Sequence, residues 1–188
     1  MNFADVCAKE MKNFFTTKVL CRAAIVAALY VALPFACLSV ASGNIQFRVS
    51  EMLTVLPLFY AEAIPALFVG CVVSNLISGC VLWDVVLGSL VTLVAAGLTY
   101  LTGRFFKNGI VRIVVGGLFP VALNALFLPL IWWLAYGEMS VGYILNVGYL
   151  FLSEGVIVWL FGAVLYAALR RLIYVRKVSV LQPLCGTE

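Results

Sequence analysis

Arg48 and Glu51 stand three residues apart in FRVSEMLTVLP, a stretch otherwise apolar enough to enter a bilayer. On a helix that spacing sets both side chains on one face, within pairing distance. An ionisable pair at such a place is either a polar ligand site or a structural ion pair at the membrane interface. A second carboxylate, Glu154, lies far inside the last apolar block, with Tyr143, Asn146 and Leu150 on the same helical face. At ~1.5 Å per residue it sits about 16 Å down, near mid-membrane. No basic residue shares its depth, so it needs a proton or a cationic or donor-rich partner. Asn124 comes to a similar depth from the other side, and Asn75 falls in the outer third. Asparagines in spans also serve as interhelical hydrogen-bonding groups, worth only about 0.6–2 kcal/mol, which is the better reading for Asn146. Trp132, Trp133, Tyr136 and Tyr143 gather near the outer ends of their spans, as an interfacial belt or as stacking surfaces for a planar ligand.

Six apolar blocks must position these groups. They run over about 18–41, 46–60, 62–81, 84–102, 111–136 and 142–169. The second is short for a straight span, since a bilayer asks for about 17–25 residues. Pro34 bends the first, Pro65 fits the first turn of the third, and Asp84 suits the N-cap of the fourth. Every one of the 12 basic residues except Arg48 falls before or in the first turns of span one, between spans four and five or at the start of span five, or after span six. The outer loops near 42–46, 80–83 and 137–141 have none, so both termini are expected in the cytoplasm. The expected fold class is therefore all-α: an integral membrane bundle of six transmembrane helices with cytoplasmic N- and C-termini. Residues 1–17 form an N-terminal cytoplasmic interfacial segment, 18–169 the membrane domain, and 170–188 a cytoplasmic tail. Ala23, Ala24, Ala27 and Ala28 make two small-xxx-small repeats at the cytoplasmic end of span one, a face that admits a close helix, whether a partner's or the chain's own. Ala163 and Ala167 are a rival repeat in span six.

Composition narrows the function. The chain has 188 residues, 65% hydrophobic and 11% charged, with no histidine. A soluble domain carries about 25% charged residues. Six cysteines without a CxxC pair give no zinc pattern and read as packing residues. The net charge of +4 reflects membrane orientation rather than nucleic-acid binding. The apolar run from Val19 to Ala41 is too long for the ~7–15-residue core of a signal peptide, so the first helix is expected to be retained. No GxxxxGK[ST] loop is present, and any ATP energy must come from another chain. Neither a nucleophile–base pair nor a ligand set for a metal or cofactor is seen, which argues against an enzyme.

The order FRVSEMLTVLP, AIPALFVGCVVSNLISG, WDVVLGSLVTLVAAGLTY, FPVALNALF and a mid-span SEG resembles the QueT family over about residues 20–168. The family comprises substrate-binding S components of energy-coupling factor (ECF) transporters. The resemblance implies a six-helix membrane protein of the prokaryotic plasma membrane that binds a 7-deazaguanine queuosine precursor, such as the 7-aminomethyl form. It implies as partners a transmembrane T component and two ATPase subunits, docked through Ala23-xxx-Ala27 or Ala24-xxx-Ala28. Ser153 stands before Glu154 where the family pattern has glycine. The substrate residues then expected are Arg48, Glu51, Asn75, Asp84, Asn124, Tyr143 and Glu154. A carboxylate suits the two adjacent N–H donors of a guanine-like edge, with Glu154 as the candidate. An asparagine suits the carbonyl, and Asp84 or Glu138 would suit an aminomethyl cation. A stand-alone secondary transporter for a nucleobase-like solute is the alternative, though the two halves show no inverted repeat.

Overall fold

The structure, a computed structural model, describes residues 16–36, 48–137 and 142–175. The interfacial segment expected before residue 16, the turn at Ser42–Asn44, Glu138 and the tail beyond residue 175 lie outside these residues. Six helices follow in order: α1 (Thr17–Ala36), α2 (Val49–Leu58), α3 (Ala63–Ile77), α4 (Asp84–Phe105), α5 (Gly109–Tyr136) and α6 (Tyr143–Ile173). Four of them, α1, α4, α5 and α6, are long and apolar enough to cross a membrane, while α2 and α3 are shorter apolar helices.

The short span has a physical cause. α2 is a 3-10 helix of 10 residues, which at ~2.0 Å per residue reaches about 20 Å. Such helices rarely exceed three or four residues, because their hydrogen bonds are poorly aligned. Here Pro57 removes one donor and the Thr54 hydroxyl donates to the Glu51 carbonyl at 2.6 Å, competing with the ladder. Burial holds the helix together: every residue but Val49 and Met52 is buried. α2 is thus the axis around which the other helices pack. Its Leu53, Val55 and Leu58 share a core with Tyr30, Leu67, Ala96, Val121, Val158 and Tyr166. A smaller cluster, Ala125, Leu128, Ile131 and Leu150, joins α5 to α6.

Close approaches rest on small residues. A Cβ on Gly103 would lie 2.7 Å from the Leu58 carbonyl oxygen, so α2 and α4 touch backbone to backbone at that point. Nearby, Arg22 forms an ion pair with Glu62, in the turn from α2 to α3, and its guanidinium lies 4.7 Å over the Tyr60 ring. Arg112 donates to the Phe106 carbonyl, and Gly109 abuts Arg170. Arg22, Arg104, Arg112 and Arg170 therefore share one end of the bundle. The outer surface carries apolar side chains such as Leu20, Ile110, Ile144 and Leu152, as a lipid-facing surface does.

Two local expectations are corrected. Asp84 is not an N-cap: Trp83 is already helical, and Asp84 and Val85 both donate their N–H to the Val81 carbonyl. Asp84 instead opens a single π-helical turn, Asp84–Gly88. Among the described residues a side-chain cap forms on α5, where the Asn108 side chain accepts from the Ile110 N–H at 3.0 Å.

Candidate substrate site

Arg48 precedes the first turn of α2, with φ −81 and ψ 76, so it is not helical. The one-face pairing expected from its spacing to Glu51 consequently does not form. Its Nη2 instead points to Cys71 Sγ on α3, 3.9 Å away. Glu51 is fully buried, and one of its oxygens, Oε1, accepts from the Tyr30 hydroxyl of α1 at 2.8 Å. Its other oxygen has no hydrogen-bond partner.

Glu154 meets this group from α6. Val55 packs against Gly162, which sets α2 and α6 in register. From that level Glu51 lies about 8 Å up at ~2.0 Å per residue, and Glu154 about 12 Å up at ~1.5 Å per residue. The two carboxylates so arrive at nearly one height, from separate helices. Glu154 lies within electrostatic range of Glu51 and Arg48 and beside Asn124 of α5. Both it and Asn124 are buried (0% and 1% exposed) side by side, and no hydrogen bond of ordinary geometry reaches any of the four side-chain polar atoms of the pair. Buried polar groups in folded proteins are nearly all paired, so a set left open converges on something else.

Asn75 belongs to the same polar chain. Its amide donates to Cys71 Sγ at 3.7 Å and to the Asp84 carbonyl at 3.4 Å. Thr92 of α4 also donates to Cys71 Sγ, at 3.5 Å. Cys71, fully buried, is thus an acceptor shared by Arg48, Asn75 and Thr92. Tyr143 stands apart from this cluster: it is exposed, and its hydroxyl donates to the Leu126 carbonyl at 2.8 Å.

The alanine repeats divide between two faces. A Cβ on Gly70 would lie 3.2 Å from the Ala27 carbonyl oxygen, so α1 packs on α3 there, with Ala23 and Ala27 half-buried. Ala24 and Ala28 are exposed beside Leu20 and Ile25.

Reading the sequence missed Tyr30, Cys71, Thr92 and the Arg22–Glu62 pair. A tyrosine amid the apolar run of span one was the signal available, since a hydroxyl at that depth seeks a partner. The thiol gave none, because a buried cysteine looks like packing.

Helices of membrane-crossing length, with Glu51, Asn124 and Glu154 buried inside the bundle near the half-buried Arg48, define a membrane protein that is all-helical among the described residues. The sequence profile of the QueT transporter family matches residues 20–171. The chain belongs to that family. A curated relative, the Queuosine precursor transporter QueT of Lactococcus lactis subsp. cremoris (strain MG1363), is 45% identical over 87 residues. That alignment covers 45% of this chain and 51% of the relative, about half of each. No solved structure matches the chain.

Proposed function

We propose that the chain is the substrate-binding S component of an ECF-type importer, taking up a 7-deazaguanine queuosine precursor. The observation that carries this reading is the unpartnered pair Glu154 and Asn124, buried beside Arg48 and Glu51. A guanine-like edge offers two adjacent N–H donors to a carboxylate, in a charge-assisted pair. Asn124 can serve the ring carbonyl or a ring nitrogen, with Arg48 a further donor to the carbonyl. The name of the Lactococcus relative and the family assignment support the queuosine-precursor class.

In this reading the helices form a six-span bundle in a prokaryotic plasma membrane, with residues 18–169 as its membrane domain. The segments 1–17 and 170–188 flank it in the cytoplasm. The basic end of the bundle faces the cytoplasm, as the positive-inside tendency requires. The exposed Ala24 and Ala28 face takes the T component, and two ATPase subunits supply the energy. Reconstitution separates this from a stand-alone carrier. Proteoliposomes holding the chain alone should bind the base without accumulating it, and adding the T component and ATPases with ATP should start uptake. Accumulation by the chain alone, driven by an ion gradient, would replace the S component with a secondary transporter.

A further inference from the structure

α6 does not wind evenly. Its buried face includes Leu150 and Glu154 in the first half, and Gly162 and Tyr166 in the second. Within each half the spacing is four, as one helical face allows, but Glu154 and Gly162 are eight apart. At ~3.6 residues per turn, eight residues run about 80° past two full turns. An uninterrupted helix that packed Gly162 on Val55 would therefore turn Glu154 away from α2. A side-chain tip 5–6 Å from the axis would swing by about 7 Å, more than twice a hydrogen-bond length. The chain avoids this with a π-helical turn, Ile157–Phe161. Its i→i+5 bonds take in one residue more than an α-turn, which returns Glu154 and Gly162 to a common face. Phe161, which a continuous helix would set in line with Glu154, is exposed, while Gly162 is buried.

Trp159 stands in the middle of this turn. A Cβ on Gly155 would lie 3.1 Å from its Cζ3. A Cβ on Gly117 of α5 would lie 2.8 Å from its Nε1 and equally close to Val158 Cγ1. The indole thus fills a slot that two glycines leave open, one edge over the residue next to Glu154 and the other on α5. Phe151 meets it edge-on, with ring centroids 6.2 Å apart. The indole nitrogen is buried without a hydrogen-bond partner, although such a group usually finds one, so the shape of the slot places it. Relaxation to a continuous α-helix would rotate Gly155 and drag the ring from that slot. We propose that Trp159, wedged between Gly117 and Gly155, holds the π-helical turn that aims Glu154 into the substrate site. It is a positioning residue for that site, and the ligand it serves rests on the S-component reading above. Single π-turns within α-helices gather at functional sites.

Titration calorimetry with 7-aminomethyl-7-deazaguanine and thermal melts of the purified full chain test this in three variants. Deleting the exposed Leu160 removes the extra residue and leaves Glu154 and Gly162 seven apart, on one face of a plain α-helix. That variant should melt cooperatively and keep its affinity within about threefold. Gly117→Ala drives the indole from its slot and should weaken binding by roughly 10- to 100-fold, the scale of one charged hydrogen bond. The same substitution in the deletion variant should weaken it by less than about threefold, because no π-turn is left to hold, whereas a merely packing tryptophan would weaken both alike. Loss of binding or of the cooperative melt on deleting Leu160 would overturn the proposal. Unchanged affinity in Gly117→Ala, or equal weakening in the two backgrounds, would overturn it as well, leaving the S-component reading intact. A wild type that binds no deazaguanine would remove that reading instead, with the melt of the deletion variant still deciding whether the turn aligns the halves of α6.

Discussion

Replacing Glu154 with glutamine should weaken ligand binding and strengthen the ligand-free protein at the same time. The carboxylate is fully buried, unpartnered and near a second carboxylate, Glu51. Glutamine keeps the volume and removes the charge, and a carboxylate in a helix at mid-membrane costs ~2.5–3.5 kcal/mol on the insertion scale. Part of that cost should return as stability of the empty protein. With ligand the sign reverses. One acceptor becomes a donor facing a donor, so a charge-assisted bond is lost and a buried group is left unpaired. Together these cost ~2–4 kcal/mol, or roughly 30- to 1000-fold in affinity. Titration calorimetry with 7-aminomethyl-7-deazaguanine and thermal melts of the empty protein in detergent read the two halves separately. Unchanged affinity would remove Glu154 from the site. A lower melting temperature of the empty variant would show that the carboxylate has a stabilising partner, against the geometry.

Further substitutions probe the architecture. Tyr30→Phe leaves Glu51 Oε1 without its donor and should cost ~1–3 kcal/mol, seen as a loss of affinity with little change in fold, measured by the same calorimetry. Gly103→Val must displace the α2 backbone at Leu58 and should lower the melting temperature, by about 1–3 kcal/mol of stability; Gly97→Ala, where a Cβ meets nothing within 4 Å, should not. Replacing the exposed Ala24 and Ala28 together with tryptophan should abolish co-purification with the T component and leave base affinity intact; joint loss of both would assign the face to the chain's own bundle.

Much of the helical layout was legible because the membrane makes hydropathy and charge placement nearly sufficient. The blocks at 84–102, 111–136 and 142–169 correspond to α4, α5 and α6 within a few residues at most ends. The short second block was also visible as short. Its 3-10 character was not, since it depends on burial by surrounding helices rather than on any local preference. Arg48 shows how spacing misleads at an element's edge: the i, i+3 rule holds only within a helix, and Arg48 lies one residue before it. Glu51 and Glu154 could each be singled out as costly in a bilayer. That they stand at nearly one height follows from the close contact of Val55 with Gly162, and no one-dimensional pattern records it. Asn75 and Asp84 stand out in the sequence by polarity alone. Their link through Cys71 to Arg48 is a tertiary fact.

In the proposed S component, a deazaguanine lodges between Glu154, Asn124, Arg48 and Glu51. Mass spectrometry of small molecules released from the purified chain, after exposure to a mixture of purine and deazapurine bases, tests it most directly. Wild type should retain a 7-deazaguanine in preference to adenine-like bases, and Glu154→Gln should lose it. Retention of an adenine-like or unrelated solute, or equal retention of the deazaguanine by both proteins, would contradict the account.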